Sequence, residues 1–424
     1  MTDLSIKWKA VPFGSLATFK NGVNYSKANF GKGIKIINVK DFQDYSLAKF
    51  DNLDEINPEG IVREKDLLQE RDILFVRSNG NRDLIGRTLY VAEVSQRITH
   101  SAFTIRARLT AEGTLPRFYA HLLRSDAIRQ SLSAFGGGTN ISNLNQQILY
   151  QLSVPFPPIQ IQSKIVAILS AYDDLIENNL RRIQILEELA QNIYHEWFGK
   201  FRFPGHENVK MGDSALGMIP EGWIITPIGE KFTAILGGTP SRTKSEYWIN
   251  GTIPWINSSK VNELRIITPT ELITEEALNH SSTKLMPKRT TVIAITGATL
   301  GQVSLLEIEA CANQSVVGII DSSKIYSEYI YLKIKEIILG LTNKASGGAQ
   351  QHINKDIVNN FCILLPPEQL VILFNEVCRP LFDLVTNNLH QNHYLRETRD
   401  LLLPKLISGE IDVSELDIKI RETG

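Results

Sequence analysis

Apolar positions along this chain follow two regimes. Short runs of strand length are broken by small polar turns, and twice they give way to a long stretch with helical spacing. The run DILFVRSNGNRDLIGRTLYV (Asp72 to Val91) reads as strand, polar turn, glycine and second strand. TVIAITGATLGQVSLLE (Thr291 to Glu307) reads the same way, with Gly86 and Gly301 at matching places. After Pro158 neither Pro nor Gly occurs until Gly199, which leaves room for about 60 Å of helix. Within that stretch Ile165, Ile168, Tyr172, Leu175, Asn179, Ile183, Leu186, Ala190, Ile193 and Trp197 recur at steps of three and four, with a stutter near Asn179. A second helix is predicted from Val377, Leu381, Leu384, Asn388, Asn392, Leu395, Arg399, Leu402 and Leu406.

The two regimes occur twice in the same order. VPFGSLATFKNG (Val11 to Gly22) is echoed by TPIGEKFTAILGG (Thr226 to Gly238), with Trp8 and Trp223 just ahead. FGGGTNIS (Phe135 to Ser142) and SGGAQQHIN (Ser346 to Asn354) each lead to an apolar strand and a double proline. Pro157-Pro158 and Pro366-Pro367 lie 209 residues apart, and Asn178-Asn179 and Asn387-Asn388 keep that offset. The chain therefore reads as a tandem duplication. The expected class is α+β: a pseudo-two-fold repeat of a mixed α/β globular part followed by a long helix. Residues 1–156 are the first globular part, 157–200 the central helix, 201–365 the second globular part, 366–412 the distal helix and 413–424 a tail. The two long helices are expected to pair as an antiparallel coiled coil. Its seam is expected at Ile168, Tyr172, Leu175, Asn179, Ile183, Leu186 and Ile193 on one helix, and at Leu381, Leu384, Asn388, Leu395 and Leu402 on the other. Asn179 and Asn388 occupy equivalent places, where a buried Asn facing an Asn fixes register. The competing reading is two unrelated surface helices.

At 424 residues the chain exceeds one ordinary core, and 43% hydrophobic with 21% charged residues describes a folded protein. Its 45 Lys+Arg against 46 Asp+Glu give a net charge of −1. That supplies no global argument for nucleic acid and excludes a strongly basic coat-like binder. Divided, the balance looks different. Residues 1–150 hold 20 Lys+Arg against 15 Asp+Glu, while 367–424 hold 6 against 10. The neutral total thus conceals a basic first lobe and an acidic end. The 3 Cys are unpatterned, so neither a disulfide framework nor a zinc knuckle is expected. The opening MTDLSIKWKA lacks a signal-peptide run and no span of about 18 apolar residues occurs, so a cytoplasmic protein without membrane contact is expected.

Known catalytic patterns are missing. No P-loop is present, since GGGTNIS lacks the Lys, and no N-P-P-[YF] methyltransferase motif occurs. His390 and His393 lie at i and i+3 without a matching Cys, Asp or Glu, and so read as exposed helix histidines rather than a metal site. His195-Glu196 lacks the second His of a zinc-protease helix, and no nucleophile elbow appears. No catalytic or metal residue is therefore assigned, and catalysis is expected in a partner. What the turns do hold is donors and cations. The first copy carries Lys20, Asn21, Lys27, Lys35, Asn38, Lys40, Arg77, Ser78, Asn79, Asn81, Arg82 and Arg87. The second carries Thr239, Ser241, Arg242, Lys244, Asn257, Ser258, Ser259, Lys260 and Thr296. Such side chains read base edges and bind phosphates; ordinary loop composition accounts for them equally well.

The segments GGTPSR with EYWINGTIPWINSSKV (Gly237 to Val261) and AITGATLGQV (Ala294 to Val303) resemble the specificity subunit of type I restriction-modification systems. FKNGVNYSK and VRSNGNRDLIGR are weaker counterparts, and the tail of each copy is similar to that family's conserved regions. One departure stands out. Glu368-Gln369 follows the second double proline, as is common in the family, whereas the first copy has Ile161-Gln162. The resemblance covers almost the whole chain. It implies two target recognition domains, each reading half of a split, asymmetric site in double-stranded DNA. It implies that the helix pair spaces them and docks two modification (methyltransferase) subunits. Those subunits carry S-adenosylmethionine and the adenine-N6 chemistry, and restriction subunits carrying ATP and Mg²⁺ can join; this chain would be non-catalytic and hold no cofactor. Neutral charge is compatible, because partner subunits can supply phosphate neutralisation. Two other classes remain open: a standalone duplicated DNA-binding or architectural protein, and a coiled-coil scaffold that does not touch DNA.

Overall fold

The computed structural model describes residues 8–42, 46–80, 84–134, 143–343 and 352–418. Arg82, Asn81 and the glycine runs at 136–138 and 347–348 lie outside the described residues. Contacts gather the chain into two compact units, Met1–Glu177 with His393–Gly424, and Asn178–Asn392.

In the first unit the strands are β1 (Ala10–Pro12), β2 (Ala17–Asn21), β3 (Phe30–Ile37), β4 (Asp54–Ile56), β5 (Ile73–Val76), β6 (Thr88–Tyr90), β7 (Ile98–His100), β8 (Thr104–Leu109) and β9 (Ser153–Pro155). Its short helices are α1 (Pro116–Arg124), α2 (Asp126–Ala134) and α3 (Gln146–Gln151). One sheet runs β2-β8-β5-β6, antiparallel throughout. In the other, β3 lies between antiparallel β4 and parallel β7. Strand β1 pairs with β9, tying the start of the domain to the segment before the double proline. All four residues of β5 are buried. Ile73 and Phe75 enter the core under α1, while Leu74 and Val76 enter a second core with Ile37 and Ile98. A strand covered on both faces reads as a continuous apolar run, not as an alternation.

A long helix, α4 (Ile159–Tyr194), follows. The second unit then holds β10 (Met211–Ser214), β11 (Gly217–Pro220), β12 (Ile224–Pro227), β13 (Thr233–Leu236), β14 (Ile253–Ile256), β15 (Arg265–Ile266), β16 (Glu271–Ile273), β17 (Thr291–Ala294), β18 (Val303–Leu306), β19 (Cys311–Ala312), β20 (Val316–Ile320) and β21 (Cys362–Leu365). Its helices are α5 (Ile228–Lys231), α6 (Glu275–His280), α7 (Ser327–Thr342) and α8 (Lys355–Asn359), and α9 (Glu368–Ser408) closes the described chain. The order β13-β20-β17-β18 repeats the first sheet, extended by β15 running parallel to β18. Strand β14 lies between antiparallel β16 and parallel β19, as β3 does between its neighbours. Strands β12 and β21 repeat β1 and β9. The duplication read from the sequence is thus a duplication of strand pairing.

The long helices run antiparallel within each unit. In the first, the Arg399 Nη1 donates to Asp173 Oδ1 at 2.6 Å, and Lys164 Nζ donates to the Ser414 carbonyl. Ile161, Ile165 and Leu169 of α4 share a core there with Leu403, Leu406 and Ile407 of α9. In the second unit, Asn179 Nδ2 donates to Asn392 Oδ1 at 3.0 Å, and Ala190 and Tyr194 share a core with Phe374, Cys378 and Phe382.

The buried stripe is turned by about one residue from the expected seam. Asn179, Ile183 and Asn388 are buried as expected. Leu175 and Leu384, however, are 54% and 49% exposed, and Ile168, Tyr172, Leu186, Ile193, Leu381, Leu395 and Leu402 are only half-buried. From Leu169 onward the buried positions of α4 are Leu169, Asp173, Ile176, Asn179, Ile183, Glu187, Ala190 and Tyr194. Their steps are again three and four, and the two successive steps of four from Asn179 through Ile183 to Glu187 keep the expected stutter near Asn179. The physical reason for the turned stripe is that Asp173 and Glu187 sit in the seam as ion-paired carboxylates, bound to Arg399 and Arg265. A search for apolar positions passes over them and lands on their neighbours. The polar pairing also differs in detail: Asn179 meets Asn392 and Gln391, while Asn388 donates to the Leu384 carbonyl at 2.9 Å. Among the described residues no helix is long and apolar enough to cross a membrane.

Candidate nucleic-acid interface

In each unit the ends of β2, β3, β5 and β7, or of their counterparts, meet at one rim, and backbone bonds hold that rim. The Gly22 amide donates to the Thr104 carbonyl at 3.2 Å, as Gly237 does to Val316 at 3.0 Å. Val23 donates to His100 as Gly238 does to Ala312, both at 2.8 Å. Ser101 donates to Ile37 at 3.0 Å and Asn313 to Ile256 at 2.9 Å. Arg77 donates to Phe103 at 2.8 Å and Ile295 to Ser315 at 2.9 Å. Finally, Leu144 donates to the Arg77 carbonyl at 2.8 Å and Ile353 to the Ile295 carbonyl at 3.0 Å. The backbones pass so closely that only glycine fits at the first position. A Cβ on Gly22 would lie 2.2 Å from the His100 oxygen, and one on Gly237 would lie 2.2 Å from that of Asn313.

Several expected site residues gather on this frame. In the first unit Asn21 accepts from Gln146 Nε2 at 3.0 Å, and Arg77 Nη1 donates to the Ala102 carbonyl at 3.3 Å. Ser78 and Asn79 follow on the same turn, and Arg87 stands across it, half-buried. Asn38 accepts from the Tyr25 hydroxyl at 2.8 Å and donates to Asp54, which also holds Lys40 Nζ at 2.8 Å. In the second unit Thr239 donates to Gln314, and the Asn257 side chain caps the turn of Ser258 to Lys260 by accepting from the amides of Ser259 and Lys260. Thr296 bridges to His352.

Most of the other expected cations are already engaged by groups of their own unit. Lys20 pairs with Asp66 and donates to the Lys65 carbonyl, while Lys35 donates to the Phe50 carbonyl and is taken up in the fold. Burial would raise the Asp66 carboxyl, but the Lys20 hydrogen bond overcomes it and holds that group below its ordinary value. Lys260 donates to Glu263 at 2.7 Å and to Thr268. Lys244 donates to the Tyr247 hydroxyl, and Ser241 shares a hydrogen bond with Thr243. Lys27 is exposed on its turn.

Arg242 stacks 3.6 Å from the Trp248 ring, and both its terminal nitrogens donate to Glu271 at 2.7 Å. The fork that would grip guanine is therefore already occupied, and Glu271 is held below the ordinary carboxylate value by that hydrogen bond. A ground-state fork–fork pair of this kind fixes the guanidinium plane. A bidentate base contact would require Glu271 to let go.

Sequence reasoning missed part of the rim. Phe103 is 59% exposed on it, and the Arg77 and Ser78 amides bond to its carbonyl. Asn145 and Asn354 cap α3 and α8 by accepting from Ile148 at 2.9 Å and Ile357 at 2.7 Å. These two caps stand 209 residues apart, so the repeat offset itself was the signal that could have found them. Among the described residues no group of three or more His, Cys, Asp or Glu side chains could hold a metal ion. His393 pairs with Glu397 at 3.3 Å.

A family model described as the type I restriction modification DNA specificity domain matches residues 5–188 and again 220–373. The type I restriction enzyme MjaIX specificity subunit of Methanocaldococcus jannaschii is 26% identical over 309 residues, which is 72% of this chain and 71% of that protein. The HindI specificity subunit of Haemophilus influenzae is 24% identical over 409 residues, covering 82% of this chain and 88% of its own. The crystal structure of the type I restriction-modification system S subunit from M. genitalium aligns over 96% of this chain and 97% of its own, with a TM-score of 0.54 at 16% identity, and so shares the fold. One model matched twice, over two copies of one strand order and one set of rim bonds, leads to a single conclusion: the chain belongs to the family of type I restriction-modification DNA specificity domains.

Proposed function

We propose that this chain is the DNA-reading subunit of a type I restriction-modification complex, each rim meeting one half of a split, asymmetric recognition site. The observation that carries the reading is the repeated frame: two rims with the same five backbone bonds but different side chains. A common backbone with different polar groups is what two readers of unlike half-sites require. Arg77, Ser78 and Asn79 in one unit, and Thr239, Arg242 and Asn257 in the other, are the residues we assign to contact with bases or phosphates. The helices that run through both units would set the number of unread base pairs and dock two modification subunits, with restriction subunits joining. S-adenosylmethionine, ATP and Mg²⁺ belong in this reading to those partners, and the chain itself performs no catalysis.

Methylation mapping in cells tests it directly. Inserting one helical turn into both α4 and α9 is expected to change the gap between half-sites and to leave the half-sites unchanged. An unchanged gap sinks the spacer role. Arg77→Ala is expected to cost roughly 1–3 kcal/mol of discrimination at one position if it reads a base edge. An equal loss on all sequences would make it a phosphate contact.

A further inference from the structure

The turn that carries Phe103 is fixed by its own backbone bonds. The Thr104 amide donates to the Ser101 carbonyl at 2.9 Å, and the Ala102 amide to that of Val23 at 2.8 Å. The Ala102 carbonyl accepts from Arg77 Nη1 at 3.3 Å, and the Phe103 carbonyl accepts from the amides of Arg77 at 2.8 Å and Ser78 at 3.4 Å. Beneath the turn, the Thr104 hydroxyl donates to the Ser101 carbonyl at 2.8 Å and meets His100 Nδ1 at 2.9 Å. The backbone is thus held in place, and it presents Phe103 outward with 59% of the residue exposed.

A lone exposed apolar side chain is ordinary on a protein surface; two observations set this one apart. The first is its place. The amides that bond to its carbonyl belong to Arg77 and Ser78, so the ring stands on the same stretch of rim as two residues assigned to DNA. The second is the matching turn of the other unit. There the Val316 amide donates to the Asn313 carbonyl at 3.1 Å, and the Ser315 carbonyl accepts from the Ile295 amide at 2.9 Å. These bonds equate Ala102 and Phe103 with Gln314 and Ser315. Gln314 is exposed and accepts from the Thr239 hydroxyl, while the Ser315 amide donates to Asn313 Oδ1 at 3.1 Å. One backbone turn therefore carries a methyl group and a ring in the first rim, and an amide and a hydroxyl in the second. Since Ser315 keeps the same bonds, the frame does not require an aromatic ring at this position.

We propose that the Ala102–Phe103 turn is a specificity element of the first rim, which recognises a thymine by apolar contact with its 5-methyl group. The inference rests on the DNA-reading assignment and adds an apolar reader to the polar ones named there. In the major groove the thymine methyl is the apolar mark among the base edges, and Ala and Phe are side chains that meet it. Gln and Ser, at the matching turn, pair instead with hydrogen-bonding edges. A methyl contact has no direction and acts only at close range, so it discriminates best when the surface that makes it is already in place. The bonds of the turn provide that. Equivalent positions of the two rims then favour different base pairs, and one frame reads an asymmetric site.

Methylation mapping in cells that carry the whole complex comes first, since it reports both half-sites at once. Phe103→Ala and Phe103→Ser are each expected to relax one A·T position in one half-site. The other half-site is expected to stay intact, which also shows that the variant has folded. Binding of the purified complex to a duplex carrying the mapped site then tests the methyl group itself. Deoxyuridine in place of that thymine removes the methyl alone. It is expected to weaken the parent about fourfold, the worth of burying one such group, and to leave Phe103→Ala unaffected. A motif unchanged by both variants, a relaxed position without thymine, or a loss equal on all sequences overturns the proposal. So does a parent indifferent to deoxyuridine; a rise in 2-aminopurine fluorescence beside that position would then mark Phe103 as a wedge that unstacks bases. If no methylated motif depends on this chain, the DNA-reading assignment falls and this inference with it. A motif that stands but ignores Phe103 removes this inference alone.

Discussion

Arg265 is among the largest fully buried side chains. Glu187 from α4 answers its charge, the Tyr331 hydroxyl accepts from it at 2.6 Å, and the rings of Tyr331 and Phe382 lie 4.4 and 4.7 Å from its guanidinium. Removing one member of such a pair strands the other charge. Glu187→Gln is therefore expected to cost about 3–5 kcal/mol in urea unfolding, and Glu187→Leu combined with Arg265→Met much less. A double variant no better than the single one would contradict this. His100 supplies a second residue-scale expectation. Burial, and then the charges of Arg106 and Lys20, lower it from 6.5 to about 3. The unfolded chain takes up that proton near pH 6.5 and the folded chain does not, so stability is complete above about 6.5 and falls as pH drops toward 3. The slope is about 1.4 kcal/mol per pH unit. His100→Asn is expected to flatten the acid limb between pH 6 and 4, and equal slopes for the two proteins would refute it. Neither residue announced itself in the sequence. A buried arginine in the run Leu264 to Ile266 looks like a surface one until the carboxylate from another element is known.

At the scale of elements, the seam between α4 and α9 carries a polar pair amid apolar neighbours. Asn179→Leu alone removes the amide that donates to Asn392 Oδ1 in the buried seam and is expected to cost about 1–3 kcal/mol. Asn179→Leu with Asn392→Leu is expected to recover most of it, and a double-mutant cycle measures the difference. Additive losses would show that the amides do not act as a pair. Strands and helices were readable to different degrees. The runs that became β5 and β17 stood out because both faces are buried, leaving no polar alternation to confuse them. The helices stood out by length, yet their buried face was misplaced by about one residue. Apolarity is a poor guide where a stripe includes Asp173, Glu187 and Asn179, each satisfied by a partner from far along the chain. The rim was readable only as turns, because its shape comes from backbone bonds such as Gly22 to Thr104 and Leu144 to Arg77, whose one mark in the sequence is the glycine at Gly22 and Gly237.

At the scale of the whole molecule, the constant 209-residue offset showed the duplication, and the structure shows what was duplicated: strand order, rim bonds and helix caps. Each rim belongs to one unit. Exchanging residues 8–155 for those of a relative is thus expected to alter one half-site and leave the other intact, as methylation mapping would report. Changes in both halves would mean that the rims are not independent readers. The near-neutral charge fits a chain that grips DNA weakly by itself, so partner subunits should strengthen binding and steepen its loss with salt.

The two units also differ in how they are spelled out along the chain. The second is one uninterrupted stretch, Asn178–Asn392, whereas the first needs both Met1–Glu177 and the segment from His393 onward. Leu403, Leu406 and Ile407 belong to the same core as Phe13 and Tyr119. On the ribosome, then, the domain made first is finished last. Its apolar groove waits through synthesis of the entire second unit, inviting chaperone capture in the interval. A stop codon just after Asn392 would accordingly spare the nearer unit and spoil the farther one.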